Sequence, residues 1–187
     1  MFNKLENWLP KTLVNELDNL FTGDKVSWVY VPSTVNYNEV NKVDGISDSH
    51  QFVHLLYDQG QPVSHLWESV RPIIHFFEYH KNIEVIELGR IKANMLFQDT
   101  TTTNSYNTPH IDVHDDGWTS LVYYVNNSDG PTVMFDSELK EIDKINFEQG
   151  SAVFFPSNKL HSSTNPYNNK RRIVINITMK TKEIKWQ

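Results

Sequence analysis

Between Ile83 and Phe97 the side chains sort by parity: Ile91, Ala93, Met95 and Phe97 fall on one face, Arg90, Lys92, Asn94, Leu96 and Gln98 on the other. An extended segment of that kind buries its apolar face only inside a sheet. Strand-like runs then follow at short intervals: Thr119 to Val125, Pro131 to Phe135, Ile142 to Phe147, Ala152 to Phe155 and Arg172 to Met179. The turn residues Asn126 to Gly130 and Glu148 to Gly150 separate some of them. Many short strands after helices confined to the first half predict a mainly β, α+β chain. The expected form is a double-sheet, jelly-roll or cupin-like barrel with N-terminal helices packed on one sheet.

The first half supplies those helices. Pro10 suits a first helical turn, Leu13, Val14, Leu17, Leu20 and Phe21 recur at helical spacing, and Gly23 is a stop. Val26 to Val31 alternates as a strand up to Pro32, and Gln51 to Tyr57 reads as another, closed by Asp58-Gln59-Gly60. Val63, Leu66, Trp67, Val70, Ile74 and Phe77 mark an amphipathic helix that Pro72 kinks or splits. His65, His75 and His80 ride on it as surface histidines. Two polar stretches, Ser33 to Ser49 and Asp99 to Asn107, read as loops. At 187 residues the expectation is one domain, with support over 1–82 and a barrel core over 83–180.

Composition narrows the chemistry. There is no cysteine, so disulfides, thiolate metal sites and cysteine nucleophiles are excluded, and a metal must sit on His, Asp or Glu. A net charge of −6 without a basic cluster speaks against nucleic acid and anionic membranes as partners. The first residues lack a secretory apolar core, and no stretch approaches a membrane span, so a cytoplasmic protein is expected.

The chemistry-bearing stretch is Thr108-Pro109-His110-Ile111-Asp112, answered by Leu160-His161-Ser162-Ser163. His110 and Asp112 lie two apart, so on extended backbone both side chains reach one side. His161 follows after enough strands to return across a barrel. Two imidazoles and one carboxylate make a facial triad, which leaves adjacent positions of an octahedral iron(II) open for a chelating co-substrate and dioxygen. His114, Asp115 and Asp116 crowd beside the triad and are read as facing solvent or substrate.

His110-x-Asp112, His161 and a basic residue ten or eleven positions on resemble the 2-oxoglutarate- and iron(II)-dependent dioxygenases, in particular the prolyl-4-hydroxylase-like branch. The resemblance runs from about Ile83 to Met179 and implies a double-stranded β-helix with the triad at its open end. It implies that His110, Asp112 and His161 bind Fe(II), with 2-oxoglutarate and O2 as co-substrates and ascorbate as a supporting reductant. Leu121-Val122-Tyr123-Tyr124 is similar to the strand after the family's His-x-Asp motif, which makes Tyr124 a candidate contact for 2-oxoglutarate. Asn94 is another. Gly130-Pro131-Thr132 stands where the family often has a Gly-Gly-Thr or Gly-Glu-Thr turn.

For the far carboxylate of 2-oxoglutarate the candidates are Arg171 and Arg172, since a guanidinium forks onto a carboxylate. Neighbours on a strand face opposite ways, so only one can point inward. Arg172 leads the run Arg172-Ile173-Val174-Ile175-Asn176 as in the family's final strand, whereas a ten-residue spacing from His161 favours Arg171. The reaction so implied is hydroxylation of a C–H bond in a small molecule or peptidyl residue. Two alternatives stand beside it: a zinc hydrolase or isomerase on a cupin-like barrel, for which His110 and His114 lie four apart, and a non-catalytic jelly-roll binding module. The zinc reading lacks the Glu that should follow His110, because Ile111 is there.

Overall fold

The computed structural model describes residues 1–35, 48–99, 106–146 and 148–184. Asn3–Leu5 is a short strand, β1, and Lys11–Thr22 forms helix α1, with Pro10 before it and Gly23 after it. Val29–Val31 (β2), Gln51–Asp58 (β3) and Gln61–Pro62 (β4) follow. The amphipathic segment is split, as its proline predicts, into α2 (Trp67–Val70) and α3 (Pro72–Lys81), with Pro72 in the first turn of α3. Asn82 then takes a left-handed φ of 52° and turns the chain into β5, Ile83–Phe97.

The remaining elements are β6 (Trp118–Tyr124), β7 (Thr132–Phe135), β8 (Glu141–Ile145), β9 (Ala152–Pro156), β10 (His161–Ser163) and β11 (Arg171–Glu183). Among the described residues they make two antiparallel sheets. The larger runs β1-β9-β6-β11-β5-β3-β2 with β4 added to β3, and the smaller runs β10-β7-β8. This is the double-sheet barrel expected from the strand pattern, in the double-stranded β-helix form that the resemblance implies. No described helix is long and apolar enough to cross a membrane.

Parity along the strands decides what faces what. Ile173, Ile175 and Ile177 of β11, Leu121 and Tyr123 of β6, and Ile91 and Ala93 of β5 are buried with Leu17 and Phe21 of α1 and Ile73 and Phe77 of α3. The alternate residues Val122, Tyr124 and Val174 pack with Met134 of the small sheet. A one-residue slip of β11 would send three isoleucines into the barrel and Arg172 among the helices. Each buried isoleucine is worth about 2 kcal/mol, so the apolar pattern holds the register firmly.

Several local expectations are corrected. The strand expected over Val26 to Val31 forms only over Val29–Val31, because Val26 is buried in the core and the Ser27 carbonyl faces the ring of His54 at 2.9 Å. Val63 lies outside the helix and is 48% exposed. Strands β1 and β10 were not foreseen, since three residues are too few to show a period. The final strand continues past Met179 to Glu183, and the run from Ile142 becomes Glu141–Ile145. Of the two polar loops, 36–47 and 100–105 lie outside the described residues.

Candidate functional site

His110 and His161 meet through backbone pairing. They form an isolated antiparallel bridge, in which the His110 amide donates to the His161 carbonyl at 2.9 Å and the His161 amide to the His110 carbonyl at 3.0 Å. His161 opens β10, whose partner is β7, so the small sheet carries one imidazole while the segment after Thr108 carries the other. The Asp112 amide donates to the Ser157 carbonyl at 3.1 Å, which holds the carboxylate above the pair.

The three side chains converge. Asp112 Oδ1 lies 3.8 Å from His110 Nε2, and Asp112 Oδ2 lies 3.6 Å from His161 Nε2. One ligand atom from each residue lies within 4.8 Å of the others. The remaining ring nitrogens face backbone carbonyls, His110 Nδ1 that of Thr108 at 3.3 Å and His161 Nδ1 that of Lys159 at 2.9 Å. With Nδ1–H donating there, both Nε2 lone pairs face the carboxylate, the tautomer that a divalent metal requires. The Ser120 hydroxyl donates to Asp112 Oδ2 at 2.5 Å and fixes the remaining ligand.

Electrostatics agree with this geometry. Burial, assisted by the neighbouring His161, lowers the His110 pKa to about 4, so its ring is neutral near pH 7. Burial opposes ionisation of Asp112, but His161, His110 and the Ser120 hydroxyl together outweigh it and lower its pKa. A neutral His110 imidazole and an anionic Asp112 carboxylate, joined by the His161 ring, are a donor set that suits iron(II) with open positions.

A cavity extends from His110 and His161 across the inner face of the large sheet, lined by Asn94, Val174, Asn176, Thr132 and Arg172 among others. Arg172 is 2% exposed and Arg171 is only half-buried on the opposite face, which leaves Arg171 outside this cavity. The Arg172 Nε donates to the Gly130 carbonyl at 2.8 Å and Nη2 to Thr132 Oγ1 at 2.9 Å. Burial lowers its pKa to about 10, which still leaves it charged near pH 7. A Cβ on Gly130 would come within 2.5 Å of the Thr164 carbonyl oxygen and 3.0 Å of Arg172 Cδ, so that turn has room for glycine alone.

Tyr124 is also buried, but behind Thr132: its hydroxyl lies 2.9 Å from Thr132 Oγ1, and it does not line the cavity. Asn94 does line it, and the side-chain oxygens of Asn94 and Asn176 have no partner among the described residues. Each calls for a donor from whatever fills the cavity. His114, Asp115 and Asp116 are exposed, and no helix holds His110 and His114 together. His65, His75 and His80 are exposed as expected.

Residues 95–179 match the model of the 2OG-Fe(II) oxygenase superfamily. The matched segment, somewhat less than half of the chain, resembles that superfamily. The oxygenase fold extends over nearly the whole chain. A 2OG-Fe(II) oxygenase family oxidoreductase from Burkholderia pseudomallei superposes with a TM-score of 0.68 at 12% identity, covering 95% of this chain and 84% of its own. A prolyl-4-hydroxylase from Pseudomonas putida gives 0.57 at 15%, covering 96% and 92%. A prolyl hydroxylase from Trichoplax adhaerens, in complex with a hypoxia inducible factor peptide fragment, gives 0.61 at 16%, covering 96% and 83%. No curated sequence matches the chain significantly. Fe(II), 2-oxoglutarate and O2 are the cofactor and co-substrates of this family, and the His-Asp-His cluster of this chain fits the metal.

Ser120, Thr132 and Lys92, the last on the wall of the same cavity, are parts of the site that the sequence does not mark. Parity on β6 places Ser120 with Val122 and Tyr124, a weak sign that it faces the barrel. Nothing local marks Thr132 as the residue that joins Arg172 to Tyr124.

Proposed function

We propose that this oxygenase hydroxylates an unactivated C–H bond of a small molecule or peptidyl residue, with His110, Asp112 and His161 as iron ligands and Arg172 as the anchor for 2-oxoglutarate. The observation that carries the reading is the single cavity that holds both Nε2 donors at one end and a buried guanidinium at the other. That two of the structural relatives are prolyl hydroxylases supports hydroxylation. The oxygen balance is simple: one atom of O2 enters the C–OH of the product and the other enters succinate, while CO2 leaves.

Bound iron(II) would supply the redox chemistry. The chain's own contribution is positional. Thr108 and Lys159 carbonyls hold the two rings, Ser120 holds the carboxylate, and Gly130 with Thr132 aims Arg172 along the cavity. Arg172 would fork onto the far carboxylate of 2-oxoglutarate, with Asn94 and Asn176 alongside. Tyr124 would act through Thr132 as a positioning residue. We read residues 1–187 as one domain, because β1 pairs with β9 and ties the N-terminal segment into the barrel.

Succinate release from 2-oxoglutarate under air, with iron(II) and ascorbate and no added substrate, tests the proposal. Slow turnover by the wild type that disappears in Asp112→Ala is expected. A wild type that neither turns over nor binds 2-oxoglutarate in the presence of iron(II) would overturn it.

A further inference from the structure

A second cavity opens beside the triad, on the β2, β3 and β5 end of the large sheet. It shares His110, Asp112 and Lys92 with the site just described and runs outward along β2, β3 and β5. Its wall is aliphatic. Val29 and Val31 of β2 and Val53 and Leu55 of β3 occupy alternating positions in paired strands, with Val29 opposite Val53, so all four present one face. Val29 is 64% exposed and Leu55 36%, so this apolar surface is not spent on the core.

The outer end of the same cavity carries one charge of each sign, Asp58 at the end of β3 and Arg90 on β5. Neighbouring carboxylates of β5 are paired across to β11, Glu87 with Lys180 and Glu84 with Lys182, both at 2.9 Å. Among the described residues Asp58 and Arg90 form no ion pair, with each other or with a third group. They line one cavity without closing on one another, which leaves space between them for a ligand that carries both charges.

We propose that the substrate is a free aliphatic α-amino acid held as its zwitterion, with its carboxylate on Arg90, its ammonium on Asp58 and its side chain along the aliphatic wall toward His110 and Asp112. The inference rests on the oxygenase reading above. An interior peptide residue has neither charge to offer, and a simple carboxylic acid would leave Asp58 without a role. The aliphatic wall fits the hydrocarbon whose C–H bond becomes C–OH, the oxygen coming from O2 with 2-oxoglutarate as the co-reductant.

The test has a binding arm and a turnover arm. Calorimetry on the full chain without added iron is run with leucine, isoleucine, valine and proline, then with N-acetyl-leucine, leucinamide and 4-methylpentanoate. Succinate release is measured with the same compounds. At least one free amino acid should bind and stimulate turnover, with each capped or deaminated analogue weaker by about tenfold or more, the loss expected for one charge-assisted contact. Arg90→Ala should raise KM for the amino acid by about tenfold or more. Asp58→Asn should abolish the preference for leucine over 4-methylpentanoate, a ratio that a purely structural role would not move.

Slow uncoupled succinate release with no response to any of the four amino acids overturns the inference and leaves the oxygenase reading standing. So does an equal or better response to the capped analogues. Failure of the wild type to use 2-oxoglutarate at all removes both.

Discussion

At the scale of single residues, the choice between the two adjacent arginines turns on strand parity. Arg172 shares a face with Val174 and Asn176 and reaches Gly130 and Thr132, whereas Arg171 offers its carbonyl to Asn126 at 3.0 Å and stays at the surface. Removing a buried guanidinium that meets a carboxylate should cost about 2–4 kcal/mol of co-substrate binding, and removing one that lies outside the cavity close to nothing. Arg172→Leu should therefore raise the KM for 2-oxoglutarate by about a hundredfold, while Arg171→Leu changes it less than about threefold. Titrations of succinate release against 2-oxoglutarate would read the difference, and equal effects of the two substitutions would refute the assignment.

At the scale of elements, the connections around the metal site are held by one carboxylate. Asp48 accepts from the Thr34 amide at 2.7 Å and the Thr108 amide at 3.3 Å, as well as from the Ser33 and Thr34 hydroxyls. Beside it the Ser49 amide donates to Asn107 Oδ1 at 3.1 Å, and the Asn107 amide to the Ser163 carbonyl at 2.8 Å. The end of β2, the start of β3 and the segment leading to His110 are thereby fastened together two residues before the proposed metal ligand. Asp48→Ala strands part-buried donors, a cost of about 1–3 kcal/mol in stability. It should also weaken iron(II) binding by about tenfold or more, because His110 loses its fixed approach. Asp48→Asn, which keeps an acceptor, should recover part of both, and a fluorescence or calorimetric iron titration on the two variants would show whether it does.

Over the whole molecule, the preformed His-Asp-His cluster has a consequence for stability in the metal-free protein. His110 stays neutral down to about pH 4 when folded, whereas in the unfolded chain it protonates near 6.5. The unfolded state therefore binds more protons in that interval, and stability falls as pH drops through it before levelling below the folded pKa. The lowered Asp112 pKa acts in the same sense further down the scale. Urea denaturation should show about 2 kcal/mol less stability at pH 5 than at pH 7 from His110, a loss that shrinks in His110→Gln. An unchanged gap between the two pH values in that variant would assign the effect elsewhere.

What the sequence by itself determined are the features written in local period and spacing. These are the parity of Ile83 to Phe97 and of Arg172 to Asn176, the break of the helix at Pro72, and the His110-x-Asp112 pair two residues apart on extended backbone. Each depends on a few consecutive side chains choosing between a core and an open face. Tertiary structure alone decided which segments pair. The bridge of His110 to His161, the edge strand β1 against β9, the seat of Thr132 between Arg172 and Tyr124, the donation of Ser120 to Asp112 and the four hydrogen bonds to Asp48 all join residues far apart in sequence or in turns without a period. Periodicity reports which way a side chain points. It is silent on the partner it meets, because strand order and register follow from the burial of the whole sheet at once.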